Sequence, residues 1–258
     1  MIIFNSDLDN TMIFSYKHDI GEHKRNVEQY QGREISFITE KTYELLQQVQ
    51  EKVLFVPTTT RTKEQYERIN FQIGKIKYAL TCNGGVLLVD GIEDEEWYNK
   101  SLEMISGCKS ELKKAQEYLE KDARRTFEVR NIKELFIFTK CNEPESVVAD
   151  LKQILDLNQT EVFHNGVKVY AVPKALSKGI ALQRFKQYMS ANQTIAAGDS
   201  EFDVSMLREA DLGLAPKALM EKFQFSSNVV GMEERHIFSE SVLGYVLDYV
   251  EKNRIGDV

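Results

Sequence analysis

Disulfide frames, zinc sites and basic binding surfaces are what this sequence does not supply. It has three cysteines in 258 residues, Cys82, Cys108 and Cys141, with no CxxC spacing and an odd count. They read as buried or semi-exposed thiols of a reducing compartment. Positive charge is in deficit, with 33 Lys and Arg against 40 Asp and Glu and a formal net charge of -7. DNA, RNA and anionic lipid each need a basic surface, so unaided binding to them is excluded. A small phosphorylated substrate is not excluded, because a few local cations and a metal can override the average. No apolar run reaches the roughly 20 residues of a membrane span, and no basic stretch precedes an apolar one at the start. Repeats, low-complexity tracts and linkers rich in Pro, Gly or Ser are all lacking. The expectation is a cytoplasmic protein with neither a membrane nor a nucleic-acid partner. With no heptad seam and no legible apolar patch, its oligomeric state stays open.

What is present is ordinary for a globular protein: 42% hydrophobic and 28% charged residues, and length for one large domain or two small ones. Short apolar runs ending in small or polar residues recur at 2–4, 53–56, 78–80, 194–197 and 212–214. Helical patterns lie between several of them, at 39–52, 62–72 and 178–189. That alternation predicts a parallel α/β sheet, with the ligand at the carboxyl ends of its strands. From about 87 to 170 the pattern changes. A helix at 110–121, strands at 126–129 and 135–139, a helix at 145–155 and strands at 161–164 and 168–172 form an αββ-αββ block. Asn165-Gly166 marks its last hairpin. We expect this antiparallel block, 87–170, to be a domain inserted into a core made of 1–86 and 171–258.

Four segments carry candidate chemistry. Asp7-Leu8-Asp9-Asn10-Thr11 follows the first strand. Residues two apart on an extended chain point the same way, so one carboxylate can attack while the other moves protons. A helix N-cap reads equally well there. Gly198-Asp199-Ser200-Glu201-Phe202-Asp203 places two more carboxylates after another strand. Magnesium needs few protein oxygens, drawn from different loops, and Asp7, Asp199 and Asp203 with a backbone carbonyl would serve. Helix capping is compatible with that role. Lys178-Gly179 can offset charge on a carboxylate and a phosphoryl group, although an isolated lysine is usually solvated. Thr58-Thr59-Thr60-Arg61 offers hydroxyls and N–H groups to an anion, or simply ends a strand with β-branched residues.

In order and placement, DLDNT, TTTR, SKG and GDSEFD resemble the four signature motifs of the haloacid dehalogenase-like phosphatase superfamily. The inserted block resembles that superfamily's class IIB cap, a combination similar to Cof-type sugar phosphatases and to sucrose-phosphate and mannosylglycerate-phosphate phosphatases. The likeness spans nearly the whole chain, including Asn83-Gly84-Gly85 and Leu212-Gly213-Leu214-Ala215. It implies a Rossmann-like core with an α+β cap that selects substrate. Asp7 would be the nucleophile and Asp9 the acid and base. Thr59, or Thr58 or Thr60 in its place, would donate to the phosphoryl group, with Lys178 balancing charge. Mg²⁺ would be held by Asp7, the Asp9 carbonyl and Asp199, with Asp203 in support. Arg61, Asn83 and Gly84 are candidate substrate contacts. The implied reaction is phosphomonoester hydrolysis on a small metabolite, a sugar phosphate first. A phosphotransferase or mutase is the catalytic alternative, and a metabolite-binding or regulatory module without turnover the non-catalytic one.

Three features depart from the family pattern: Thr60 stands for a common glycine, Phe202 for a common asparagine, and 15–36 is long and polar. That stretch carries Lys17, His18, His23, Lys24, Arg25 and Arg33, and reads either as a substrate flap or as a solvated hairpin. His164 is expected to serve its turn, and His236 has no partner motif. Trp97 and Tyr98 are expected to pack within the cap rather than to wall the site.

Overall fold

The structure is a computed structural model that describes residues 1–233 and 237–255, the side chains of the last two excepted. His236 lies outside the described residues. The chain opens with β1 (Ile2–Ser6), short β2 (Phe14–Ser15) and a long hairpin, β3 (Lys24–Tyr30) and β4 (Arg33–Thr39). Then come α1 (Glu40–Lys52), β5 (Leu54–Pro57), one turn of helix α2 (Lys63–Tyr66), β6 (Tyr78–Thr81), β7 (Val86–Val89) and β8 (Ile92–Glu93).

The middle of the chain folds as α3 (Glu95–Met104), α4 (Lys109–Lys121), β9 (Arg130–Ile132), β10 (Phe136–Lys140), α5 (Pro144–Ile154), β11 (Thr160–Asn165) and β12 (Lys168–Pro173). The remainder is α6 (Lys178–Tyr188), β13 (Gln193–Ala197), α7 (Val204–Glu209), β14 (Leu212–Pro216), α8 (Lys217–Lys222), β15 (Val229–Met232) and α9 (Phe238–Ile255). Two compact units result: Asp94–Ser177, and Met1–Glu93 together with the chain from Lys178 onward.

The larger unit is built on a parallel sheet of order β15-β14-β13-β1-β5. β1 lies between β13 and β5, and the chain departs from it in both directions, which makes a topological switch point at its carboxyl end. Phe4, Phe55, Ile195 and Leu214 pack one side of the sheet against Leu46 and Val49 of α1 and Val242, Leu243 and Val246 of α9. Leu182 of α6 and Met206 and Leu207 of α7 cluster with Ala196 and Ala215.

Two expectations need correcting here. The run at 78–80 is a strand that bridges the end of β5 in parallel, Leu80 opposite Thr58, but its ladder is antiparallel with β7 in the sheet β6-β7-β8. The tight turn Cys82–Gly84 is too short for a parallel crossover. The helix expected over 62–72 stops at Tyr66, because the following segment docks on the hairpin: Asn70 N–H donates to Val27 O at 2.8 Å and Ile69 bridges Glu28.

In the smaller unit the sheet runs β11-β12-β10-β9, all antiparallel. Leu112, Ala115 and Leu119 of α4 and Val147, Val148 and Leu151 of α5 cover one face, packing on Ile137, Val162, Val169 and Ala171. Its first strand is Arg130–Ile132 rather than 126–129, and α3 precedes the expected pattern. The Tyr98 hydroxyl donates to Lys133 O at 2.9 Å, inside this unit. His164 Nδ1 meets Gly166 O at 3.2 Å across the β11–β12 turn. All three cysteines are buried.

Candidate active site

Three adjacent strands, β13, β1 and β5, deliver their carboxyl ends side by side. Asp7 follows β1 directly and its N–H donates to Ala197 O at 2.9 Å, while Thr58 N–H donates to Ser6 O at 2.7 Å. The loops after these strands therefore start in register, and they carry Asp7 and Asp9, the run from Thr58 to Arg61, and Asp199 and Asp203.

At the centre is Lys178, the first residue of α6, with its side chain 1% exposed. Its ammonium bonds Asp7 Oδ1 and, at 2.6 Å, Asp203 Oδ1. Burial alone would lower its pKa, but the charges of Asp203 and Asp7 and their hydrogen bonds raise it above the ordinary lysine value. The lysine is thus a fixed cation and not a proton carrier.

Asp203 is fully committed. Its Oδ2 accepts from Ser200 N at 3.0 Å, Ser200 Oγ at 2.9 Å and Asp199 N at 3.2 Å. Asp199 in turn accepts from Thr11 Oγ1 at 2.9 Å, which ties the last residue of the first motif to the fourth. Burial pushes the Asp199 carboxyl up to about 7, with Asp203 adding to the effect. Burial likewise raises Asp7 well above the usual carboxylate range; Lys178 opposes this, and Asp203, Asp199 and Asp9 add to it.

Two glycines make this packing possible. A Cβ on Gly198 would stand 2.2 Å from Asp203 Cβ, and one on Gly179 would stand 2.5 Å from Ser205 O. The first lets the fourth-motif loop fold over its own aspartate. The second lets α6 approach α7 closely enough to bring Lys178 inward.

Asp7, Asp199 and Asp203 present oxygens within 4.8 Å of one another, the arrangement of a cation site. Lys178 supplies one positive charge to three carboxylates, so two negative charges stay uncompensated. An all-oxygen donor set with that deficit fits a hard divalent cation.

Asp9 is not part of this cluster. Its carboxylate is half exposed and held in a fork by Arg61, with Nε on Oδ2 at 2.8 Å and Nη2 on Oδ1 at 2.7 Å. Arg61 is mostly buried, and its other face meets Glu28 of β3. Burial opposes the raised pKa of Arg61, which Asp9 and Glu28 produce.

In the second motif, Thr58 Oγ1 is used inside the fold, accepting from Asn5 Nδ2 at 2.9 Å and donating to Val56 O at 3.2 Å. Thr59 is fully buried, and its Oγ1 accepts from Arg61 N at 3.2 Å. Thr60 is half-buried and Phe202 likewise. Asn83 N–H donates to Thr59 O at 2.9 Å, so the Cys82–Gly84 turn, with Asn83 and Gly84 both in the left-handed region, braces this loop.

Two contributors, Thr11 and Glu28, had no individual role expected from the sequence. Thr11 was visible as part of DLDNT, although its link to Asp199 was not. Glu28 gave no signal in a stretch notable for its cations, two of which are engaged elsewhere. Arg25 pairs with Glu40 at 2.7 Å and lies over the Tyr43 ring, and Lys24 lies over Phe37.

The family model for haloacid dehalogenase-like hydrolases matches residues 91–222, just over half of the chain. The chain belongs to this family. No curated protein sequence matches it. Among solved structures of the same fold, the sucrose-phosphatase from Synechocystis sp. PCC6803, in complex with sucrose and phosphate, superimposes with a TM-score of 0.66. It is 16% identical, with 96% of this chain and 97% of that one covered. A haloalkanoate-superfamily phosphatase from Bacteroides thetaiotaomicron, BT1666, gives a TM-score of 0.56 at 13% identity over 96% and 94% of the chains. The subclass IIB sugar phosphatase BT4131 also gives 0.56, at 13% identity over 96% and 99%. The chain has the haloacid dehalogenase-like fold: a parallel-sheet α/β core whose sequence is interrupted by an α+β unit with an antiparallel sheet. Among the described residues, no helix is long and apolar enough to cross a membrane.

Proposed function

We propose that the protein is a Mg²⁺-dependent phosphomonoester hydrolase working through an aspartyl-phosphate on Asp7. The observation that carries this reading is the charge arrangement: three carboxylates around one buried lysine, beside a fourth carboxylate held by an arginine. Phosphoryl transfer asks a protein for alignment and charge neutralisation above all, and these residues supply both.

In this mechanism an Asp7 oxygen attacks phosphorus, and the bond to the leaving oxygen breaks as Asp9 gives that oxygen a proton. Asp9 then takes a proton from water, which attacks the acyl-phosphate, releases phosphate and restores Asp7. Lys178 keeps Asp7 aligned and offsets charge at the reacting centre. The hydroxyl of Thr59, or that of Thr60, would donate to a phosphoryl oxygen, since that of Thr58 is used inside the fold. Asp7, the Asp9 carbonyl and Asp199 would hold Mg²⁺, with Asp203 orienting the loop because both its oxygens are engaged. The ion's contribution when bound is neutralisation of phosphoryl charge. A small sugar phosphate is the favoured substrate class, on the strength of the sucrose-phosphatase and sugar-phosphatase folds that resemble this one. The proposed location is cytoplasmic, and the domain roles follow the fold: catalysis in the larger unit, selectivity in the smaller.

The test is phosphate release from a panel of phosphomonoesters, with and without Mg²⁺, for wild type and Asp7→Asn. Metal-dependent release that the substitution abolishes is the expected result. Release that survives Asp7→Asn would rule out the aspartyl-phosphate.

A further inference from the structure

Glu28 is a carboxylate with 1% of its side chain exposed, yet it lies on a hairpin strand in a stretch of polar surface. Burying an ionised carboxylate is costly unless donors surround it. Here Oε1 accepts from Arg61 Nη1 at 2.8 Å, and Oε2 accepts from Arg61 Nη2 at 3.0 Å and from Ser36 Oγ at 2.6 Å. Arg68, stacked over the Tyr30 ring, brings Nε to 3.2 Å of Oε1. The strand pairing is irregular on both sides of Glu28, between Asn26 and Glu28 and again between Glu28 and Gln29. Bulges of this kind re-aim a side chain, and this one points toward the arginine that grips Asp9.

Arg61 therefore sits between two carboxylates of different character. Asp9 is half exposed, and Glu28 is buried and saturated. With Arg68 the four groups balance in charge, two arginines against two acids. Asp9 must exchange a proton during turnover, so its bond to Arg61 has to loosen at each cycle. The bond from Arg61 to Glu28 has no such requirement.

We propose that Glu28 is a positioning residue for the acid and base step. It anchors Arg61 so that the guanidinium fork returns Asp9 to one orientation at the leaving-group oxygen. This inference rests on the hydrolase reading and on Asp9 as its proton donor. Glu28 touches neither substrate nor reacting atoms, so its effect must appear in proton delivery and must pass through Arg61.

The experiment compares Glu28→Gln, Arg61→Met and the double variant on an alkyl phosphate and an aryl phosphate with a good leaving group. First-turnover release of the leaving group is measured alongside steady-state kcat and KM. Alkyl esters need the leaving oxygen protonated and good aryl leaving groups do not. Glu28→Gln should slow first-turnover release from the alkyl ester by roughly 10- to 100-fold. Release from the aryl ester should change far less, and KM should stay near its wild-type value. In the Arg61→Met background the same change should add little, because the two act as one unit.

An unchanged alkyl-to-aryl ratio in Glu28→Gln, or a full multiplicative loss on top of Arg61→Met, would overturn the proposal. Glu28→Asp guards against a folding failure: it keeps the charge but withdraws the carboxylate, and should shift the ratio in the same direction by less. A wild-type ratio in Glu28→Asp also overturns it. If wild type releases no phosphate from either ester, the hydrolase reading fails and this one with it. Wild-type turnover with an unaltered ratio in the variants sinks Glu28 alone.

Discussion

Lys178 is the residue on which the other assignments turn, and glycine is what admits it. An ammonium held by Asp7 and Asp203 needs Asp203 to stand immediately under the Gly198 backbone, where a methyl group would meet its Cβ at 2.2 Å. Asp203 cannot swing aside, since both its oxygens are bonded. Gly198→Ala should therefore displace the fourth-motif loop and cost about 1–3 kcal/mol of stability, as overpacking does. It should also lower kcat, and urea denaturation with steady-state assays would show both effects. Gly244, inside α9, is the contrasting case, with open space where a Cβ would go. Gly244→Ala should raise stability by up to about 1 kcal/mol and leave kcat alone. If Gly198→Ala behaved like Gly244→Ala, the close approach would not be the reason for glycine there. At this scale the sequence was informative where spacing carries meaning. Asp7, Lys178, Asp199 and Asp203 were picked out by motif order, and the structure brings them together. Glu28 was illegible because a bulge breaks the two-residue alternation by which inward side chains are recognised.

Among the elements, the strands that end in motifs could be read because an apolar run followed by small and acidic residues has few other meanings. What the runs do not encode is direction or partner. The strand at 78–80 keeps one parallel bridge to Thr58, but its ladder is antiparallel because a three-residue turn, not a crossover, follows it. The helix at 62–72 lost its second half to contacts with the hairpin that no local pattern announces. Helix α1 shows the opposite case, in which local chemistry and tertiary contact agree. Thr39 Oγ1 accepts from Thr42 N at 2.9 Å, capping the helix, and also donates to Glu240 Oε1 at 2.7 Å on α9. Thr39→Ala should cost about 1 kcal/mol or somewhat more, since it removes the cap and a link between two helices. Thr39→Ser should recover most of that loss. Equal destabilisation by Ala and Ser would mean that the methyl group, and not the hydroxyl, is what matters.

For the molecule as a whole, the site gathers three carboxylates around one lysine inside an already acidic chain, and this should couple stability to pH and, on the proposed function, to metal. The folded pKa values of Asp7 and Asp199 lie above their unfolded ones, with Asp199 at about 7. Between the unfolded and folded values the native state binds more protons than the unfolded chain, so stability falls as pH rises through that window. The metal-free protein should accordingly lose stability at this site between about pH 4 and about pH 7. Mg²⁺ bound at the proposed site should reverse the sign, because the carboxylates must be ionised to hold it and its binding would release their protons. At 100 times its dissociation constant it should add about 2.7 kcal/mol. The informative quantity is the gap between the melting temperatures with and without Mg²⁺, followed across pH. Carboxylates elsewhere with depressed pKa values, such as Asp122 and Asp211, contribute equally to both curves and cancel in the gap. The gap should be small near pH 5 and widen toward pH 8, and Asp199→Asn should largely close it while flattening the metal-free curve. A gap of constant size across that range would mean that the ion is stabilising some other part of the fold. The charge deficit around Lys178 would then need another explanation, one in which Asp7 and Asp199 keep their protons.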